Sequence, residues 1–180
     1  SPGGAPEDDR PGFSLAGFLA GAGRPAPEPE PPGPDPAVVR LGVVGVPPIM
    51  PDLFDLVESL GGSVVYNESP FQFSMPYRCD GLVEQYMLYT YPYGARVRLA
   101  SVREEVMRRG VDGLVLYQEA FCYRTIQNTY MRGRSPVPTL DLEASRPGPC
   151  DARTRLRLEA FVQMLARSRP GPARRAPEPP

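Results

Sequence analysis

The chain has 180 residues, enough for one ordinary domain with surface left over for tails, and its 25 Pro and 18 Gly gather towards the two ends. Its formal net charge is −1, with arginine as the only basic residue type, so no global field draws it to nucleic acid or to an anionic membrane, and no run of about 18 apolar residues is present to span a bilayer. There is no histidine, and the three cysteines, Cys79, Cys122 and Cys150, stand far apart, which excludes a self-contained zinc site.

Residues 1–37 read as a disordered, Pro-rich segment. Within it "FSLAGFLAG", Phe13 to Gly21, is a candidate short apolar helix, and "RPAPEPEPPGPDP" is a semi-rigid extended linker, because fixed φ angles and missing N–H groups oppose helix and central strand. The start "SPGGAPEDDR" lacks the charged and apolar regions of a signal peptide, so the expected compartment is the cytoplasm, where a structural disulfide is disfavoured.

Folded structure is expected over 38–167. "VVRLGVVGV" is a strand buried on both faces, and "DLFDLVESLGG" a helix with Asp52 as its N-cap and Gly61 or Gly62 as its stop. "SVVYNE" is a second strand, followed by a long loop, "NESPFQFSMPY". Helices follow in "DGLVEQYMLYTY" and "VRLASVREEVMRRG", the latter closed by Gly110. "DGLVLYQ" is the third strand, "CYRTIQNTYMRG" a helix, and "VPTLDL" the fourth strand. "DARTRLRLEAFVQMLARS" is a long final helix with Leu158, Phe161, Val162 and Leu165 on one face. Residues 168–180 form a second disordered tail.

Alternating strands and helices predict a three-layer α/β domain, flavodoxin-like or Rossmann-like, on a mostly parallel four-stranded sheet. Ligands in such domains sit beyond the carboxyl ends of the strands. Four segments meet there: Val46 to Met50, Asn67 to Tyr77, Gln118 to Cys122, and Glu143 to Cys150.

Each segment offers candidate chemistry beside a plainer reading. Cys122, just past the third strand, is either a small core residue beside Phe121 or a thiolate favoured by a helix start. The pair Gly42 and Gly45 in "GVVG" lacks the third glycine of a dinucleotide loop, and reads better as a strand running into a turn. In the long loop, Asn67, Glu68, Gln72 and Ser74 are candidate substrate-binding residues, against the alternative of a surface loop pinned by Phe71 and Phe73. Arg153 and Arg155, near the start of the last helix, call for an anionic partner or simple solvation. Cys79 and Cys150 each precede an aspartate suited to capping and read as incidental thiols.

Taken together, "LGVVGVPPIMPDLFDLVESLGGSVVYNESPFQFSMPY", "LVEQYMLYTYPYGARVR", "VDGLVLYQEAFCYRTIQ" and "PTLDLEASRPGPCDARTRLRLEAFVQML" resemble, in order and near spacing, the 2-hydroxyacyl-CoA dehydratase family, which includes 2-hydroxyglutaryl-CoA dehydratase and benzoyl-CoA reductase subunits. The resemblance implies the carboxy-terminal domain of a two-domain subunit. It further implies a 4Fe-4S cluster held by three cysteines, two from the preceding domain and one that matches Cys122. The implied reaction is the radical dehydration of a (R)-2-hydroxyacyl-CoA to an enoyl-CoA, started by an electron from an ATP-dependent activator protein. Implied partners are the amino-terminal domain or a second subunit, the activator, and the acyl-CoA itself, with neither nucleic acid nor membrane. The chain departs from its relatives at Tyr117, where they often have histidine, and at Ala144 and Ser145, where an acidic residue is common. Two alternatives stay open: a non-catalytic flavodoxin-like binding or scaffold module of the same family, and a ring-reducing benzoyl-CoA reductase type.

Overall fold

In a computed structural model, the described residues are 35, 37–77 and 81–169. The candidate helix at 13–21, the linker, Cys79 and the tail from 170 lie outside them. Four strands, β1 (Val39–Gly45), β2 (Gly62–Asn67), β3 (Gly113–Glu119) and β4 (Thr139–Ala144), pair in the order β2-β1-β3-β4, every pair parallel. This is the doubly wound order of flavodoxin-like sheets, with the reversal of direction between β1 and β3.

Burial follows position in the sheet. The central strand β1, "VRLGVVG", is buried along its whole length, as a strand covered on both faces must be. The edge strand β4 is only partly covered. Val39, Leu41, Val43, Val115 and Tyr117 face one way, towards α1 (Leu53–Ser59) and α6 (Ala152–Ser168), whose Leu158, Phe161, Val162 and Leu165 complete that layer. Val44, Leu114 and Leu116 face the other way, towards α4 (Ala95–Arg109) and α5 (Arg124–Arg132). The strand period of two thus sorts each strand's apolar residues between two helical layers.

Three local expectations change. The loop from Asn67 to Tyr77 contains a helix, α2 (Glu68–Phe73), which puts Phe71 into the α4/α5 layer. Pro70 fits because it stands in the first turn, where its missing N–H has no intrahelical acceptor to lose. α3 (Leu82–Leu88) is shorter than its apolar pattern, and only Leu88 is buried among its side chains described. Asp52 precedes α1 but does not cap it: its carboxylate accepts instead from the Cys150 N–H at 2.8 Å and ties the start of α6 to the β1–α1 loop. Asp151 does cap α6, accepting from the Thr154 N–H at 2.7 Å. Gly110 closes α4 in the left-handed conformation, as the sequence suggests.

Candidate functional site at the carboxyl edge of the sheet

The carboxyl ends of β1 and β3 sit side by side, Gly45 opposite Tyr117. Gly45 has φ +133°, and a Cβ there would lie 1.9 Å from the Tyr117 carbonyl oxygen, so only glycine fits. The "GVVG" stretch is therefore strand and tight exit, as its plainer reading has it. The Tyr117 hydroxyl accepts from the Ile49 N–H at 3.0 Å and pins the loop that leaves β1.

Beneath that loop lies a buried polar network. The Glu68 carboxylate accepts from the Gly45 N–H at 2.9 Å and receives the Arg98 guanidinium in a two-pronged pair at 2.5 Å. Both side chains are essentially inaccessible. Burial pulls the Arg98 guanidinium towards neutrality, but the hydrogen bonds and charge of Glu68 outweigh it and hold its pKa above the ordinary value. Arg98 also donates to Gln127 at 3.0 Å. Gln127 accepts a longer bond from Arg124, which donates at 3.1 Å to the Tyr91 carbonyl and lies 4.0 Å over the Tyr91 ring. The Tyr91 hydroxyl closes the circuit by donating to the Gly45 carbonyl at 3.0 Å. On the β3–β4 side, Gln118 accepts from Asn128 at 2.9 Å and donates to Glu143 at 3.3 Å.

The six candidate substrate-binding residues separate into three groups. Glu68 and Gln72 are 1% exposed and fully engaged within the fold, Gln72 accepting from the Thr90 N–H and donating to the Ser101 hydroxyl. They position the edge rather than face a ligand. Asn67 ends β2, and Ser74 ends α2 with its hydroxyl donated to the Phe71 carbonyl. Arg153 and Arg155 are exposed on the first turn of α6. The favourable charge of Arg155 reaches Asp52, and that of Arg153 reaches Asp151. α2 packs in the α4/α5 layer and α6 in the α1 layer, so these segments border the carboxyl edge from opposite faces of the sheet.

Cys122 is half-buried in the turn between β3 and α5, beside the switch point between β1 and β3. α5 begins at Arg124, two residues later than expected, because the Cys122 carbonyl accepts from the Thr125 N–H and hydroxyl and closes a turn first. The residue before it, Phe121, is fully exposed at φ +64°, an uncommon conformation for an aromatic residue. Cys150 differs: its Sγ lies 3.5 Å from Met50 Sδ, and burial together with a hydrogen bond to Asp52 pushes its thiol up to about 12. Both described cysteines thus lie on loops at the carboxyl edge, Cys150 tied to the β1–α1 loop and Cys122 in the turn after β3. No group of three or more Cys, Asp or Glu suited to a metal occurs among the described residues.

Arg98, Tyr91, Arg124, Gln127 and Asn128 escaped the sequence reading. The available signal was Arg98 among the apolar positions Leu99, Val102 and Val106 of α4, where burial of a guanidinium demands an acidic partner.

No helix among the described residues is long and apolar enough to cross a membrane. A search of curated proteins finds no match. The family model for the 2-hydroxyglutaryl-CoA dehydratase D-component matches residues 22–165, nearly the whole folded part and most of the linker. With the order of strands and the switch-point geometry, that match places the chain in the 2-hydroxyglutaryl-CoA dehydratase D-component family.

Proposed function

We propose that this chain is the part of a 2-hydroxyacyl-CoA dehydratase that gives one thiolate, Cys122, to a 4Fe-4S cluster completed by cysteines of an amino-terminal domain or second subunit. The observation that carries the reading is the place of Cys122: within a domain of this family, it is the described thiol that follows β3 at the switch point, where doubly wound sheets hold their ligands. When bound, the cluster would supply one-electron chemistry, fed by an ATP-dependent activator protein, for removing water from a (R)-2-hydroxyacyl-CoA. This chain's residues supply orientation and charge. The Glu68–Arg98–Tyr91–Arg124 network fixes the turn leaving β1 against α5, and so fixes the approach to Cys122. Arg153 and Arg155, exposed at the same edge, meet the phosphates or an acyl carboxylate of the thioester, since guanidinium pairs well with such anions. Asn67 and Ser74, at the two ends of α2, flank the entry on the opposite face.

The test is anoxic co-expression with the polypeptide that carries the other cysteines, followed by iron and sulfide assays. Cys122→Ala should lose the brown colour and most of the iron, whereas Cys150→Ala and Cys79→Ala should retain both. Equal iron in all three variants would overturn the ligand assignment. A complex that forms normally yet never holds iron would favour the second reading, a non-catalytic module.

A further inference from the structure

The buried network at the carboxyl edge carries two guanidinium groups but one carboxylate. Arg98 takes both oxygens of Glu68, whereas Arg124, 3% exposed, has no acidic partner among the described residues. Its bonds go to neutral oxygens, those of the Gln127 amide and the Tyr91 carbonyl. Buried arginines are ordinarily paired with an anion, so this one points to a negative group from outside the domain. Around the charge the surroundings are aromatic. The Arg124 guanidinium lies 4.0 Å from the centre of the Tyr91 ring and 5.5 Å from that of Tyr123. Tyr91 stacks on Tyr89 at 6.2 Å and meets Phe73 at 5.4 Å, and Phe73 meets Tyr89 at 5.6 Å. These contacts join the end of α2, the chain after α3 and the start of α5 into one cluster, which the Tyr91 hydroxyl ties to the carboxyl end of β1 at Gly45. Phe73 and Tyr123 are each 62% exposed, so the cluster meets solvent at both of its ends.

We propose that this cluster holds the adenine nucleotide end of the acyl-CoA, with the base stacked on the rings of Phe73 and Tyr89 and a phosphate paired with Arg124. Exposed ring faces suit a planar base, and a buried guanidinium without a carboxylate suits a phosphate, so one ligand that joins the two groups answers both features. Spacing agrees with this. Arg124 stands one ring, that of Tyr91, away from Phe73, a separation that a ribose bridges between base and phosphate. Position agrees as well, since Tyr123 directly follows Cys122 and the cluster borders the carboxyl edge on its α4/α5 side. The identity of the ligand rests on the acyl-CoA reading given above, whereas ligation of iron by Cys122 does not enter it.

The test is calorimetric titration of the full chain, without iron, with adenosine 3′,5′-bisphosphate. Saturable binding is expected, roughly tenfold or more tighter than that of adenosine, which lacks the phosphates, and of pyrophosphate, which lacks the base. Phe73→Ala and Tyr89→Leu should each weaken the bisphosphate about tenfold and leave pyrophosphate unchanged, since stacking of a base on an aromatic ring is worth about that factor. Arg124→Gln should bring the bisphosphate down to the level of adenosine, and Met107→Ala, at an exposed position of α4, should change nothing. If Arg124→Gln fails to fold, Phe73→Ala, at a position 62% exposed, still decides. No saturable heat up to about 10 mM bisphosphate, affinity for adenosine or pyrophosphate equal to that for the bisphosphate, or unchanged affinity in Phe73→Ala overturns the proposal. Tighter binding of flavin mononucleotide, which also joins a planar ring to a phosphate, overturns acyl-CoA as the source of the ligand. Because the titration contains no iron, any of these failures leaves the Cys122 assay standing, and equal iron in the cysteine variants leaves nucleotide binding standing.

Discussion

Replacing Glu68 by alanine would leave the Arg98 guanidinium buried without its carboxylate and would remove the acceptor that fixes the Gly45 N–H. The expected cost is about 3–5 kcal/mol, read as a lower urea midpoint with little change in slope, whereas an exposed substitution such as Arg153→Ala should shift it by less than about 0.5 kcal/mol. Cys150 carries a pH-dependent consequence. Its thiol ionises near 8.5 in an unfolded chain and at about 12 in the folded one, so between those values the folded state binds the extra proton and stability falls as pH rises. Iodoacetamide at pH 8.5 should accordingly modify Cys150 at least tenfold more slowly than it does free N-acetylcysteine, measured by peptide mapping. Residue type at the edge was readable in the sequence; burial was not. Glu68 and Gln72 look like open loop polars until Arg98 and Ser101, about 30 positions away, are brought against them. A contact of that separation leaves no local trace, whereas the cap of Asp151 on Thr154, three residues on, does.

Elements were legible where periodicity had length to act. The four strands and the long helices α4 and α6 follow their apolar spacing closely, because each buries a continuous stripe. α2 was not legible: it spans six residues, carries Pro70, and gains its stability from Phe71 packing and the Glu68–Arg98 pair instead of from helix propensity. The two aspartates with capping sequence contexts should now separate by experiment. Asp151→Ala removes a true cap and should cost about 1 kcal/mol through α6. Asp52→Ala leaves α1 without any lost cap bond, and should instead loosen the start of α6 by releasing the Cys150 N–H, seen as faster amide exchange there. Gly45→Ala should disrupt the β1 exit far more than either, since the new methyl meets the Tyr117 carbonyl, and soluble yield at 37 °C should drop sharply.

At the scale of the molecule, the switch point between β1 and β3 brings together segments that are distant in sequence, the β1 exit and the Cys122 turn, and that much was visible once alternation implied a doubly wound sheet. The separation of α2 and α6 onto opposite faces was not, since sequence order does not say on which side a crossover passes.

The all-parallel sheet also governs how the chain reaches this state. No strand pairs with a hairpin neighbour: Val39 meets Gly62, Leu114 meets Thr139, and the central ladder joins Leu41 to Gly113. Each contact closes a long loop before it returns any stabilisation, so refolding belongs in the range of milliseconds to seconds, and stopped-flow mixing should resolve it. Until β3 arrives, one long edge of β1 stands open, a strand that is apolar at nearly every position and has no charged residue after Arg40 to discourage pairing with another chain. A nascent chain halted before Gly113 would thus be a template for aggregation, and synthesis of residues 113–119 is the moment at which that hazard ends.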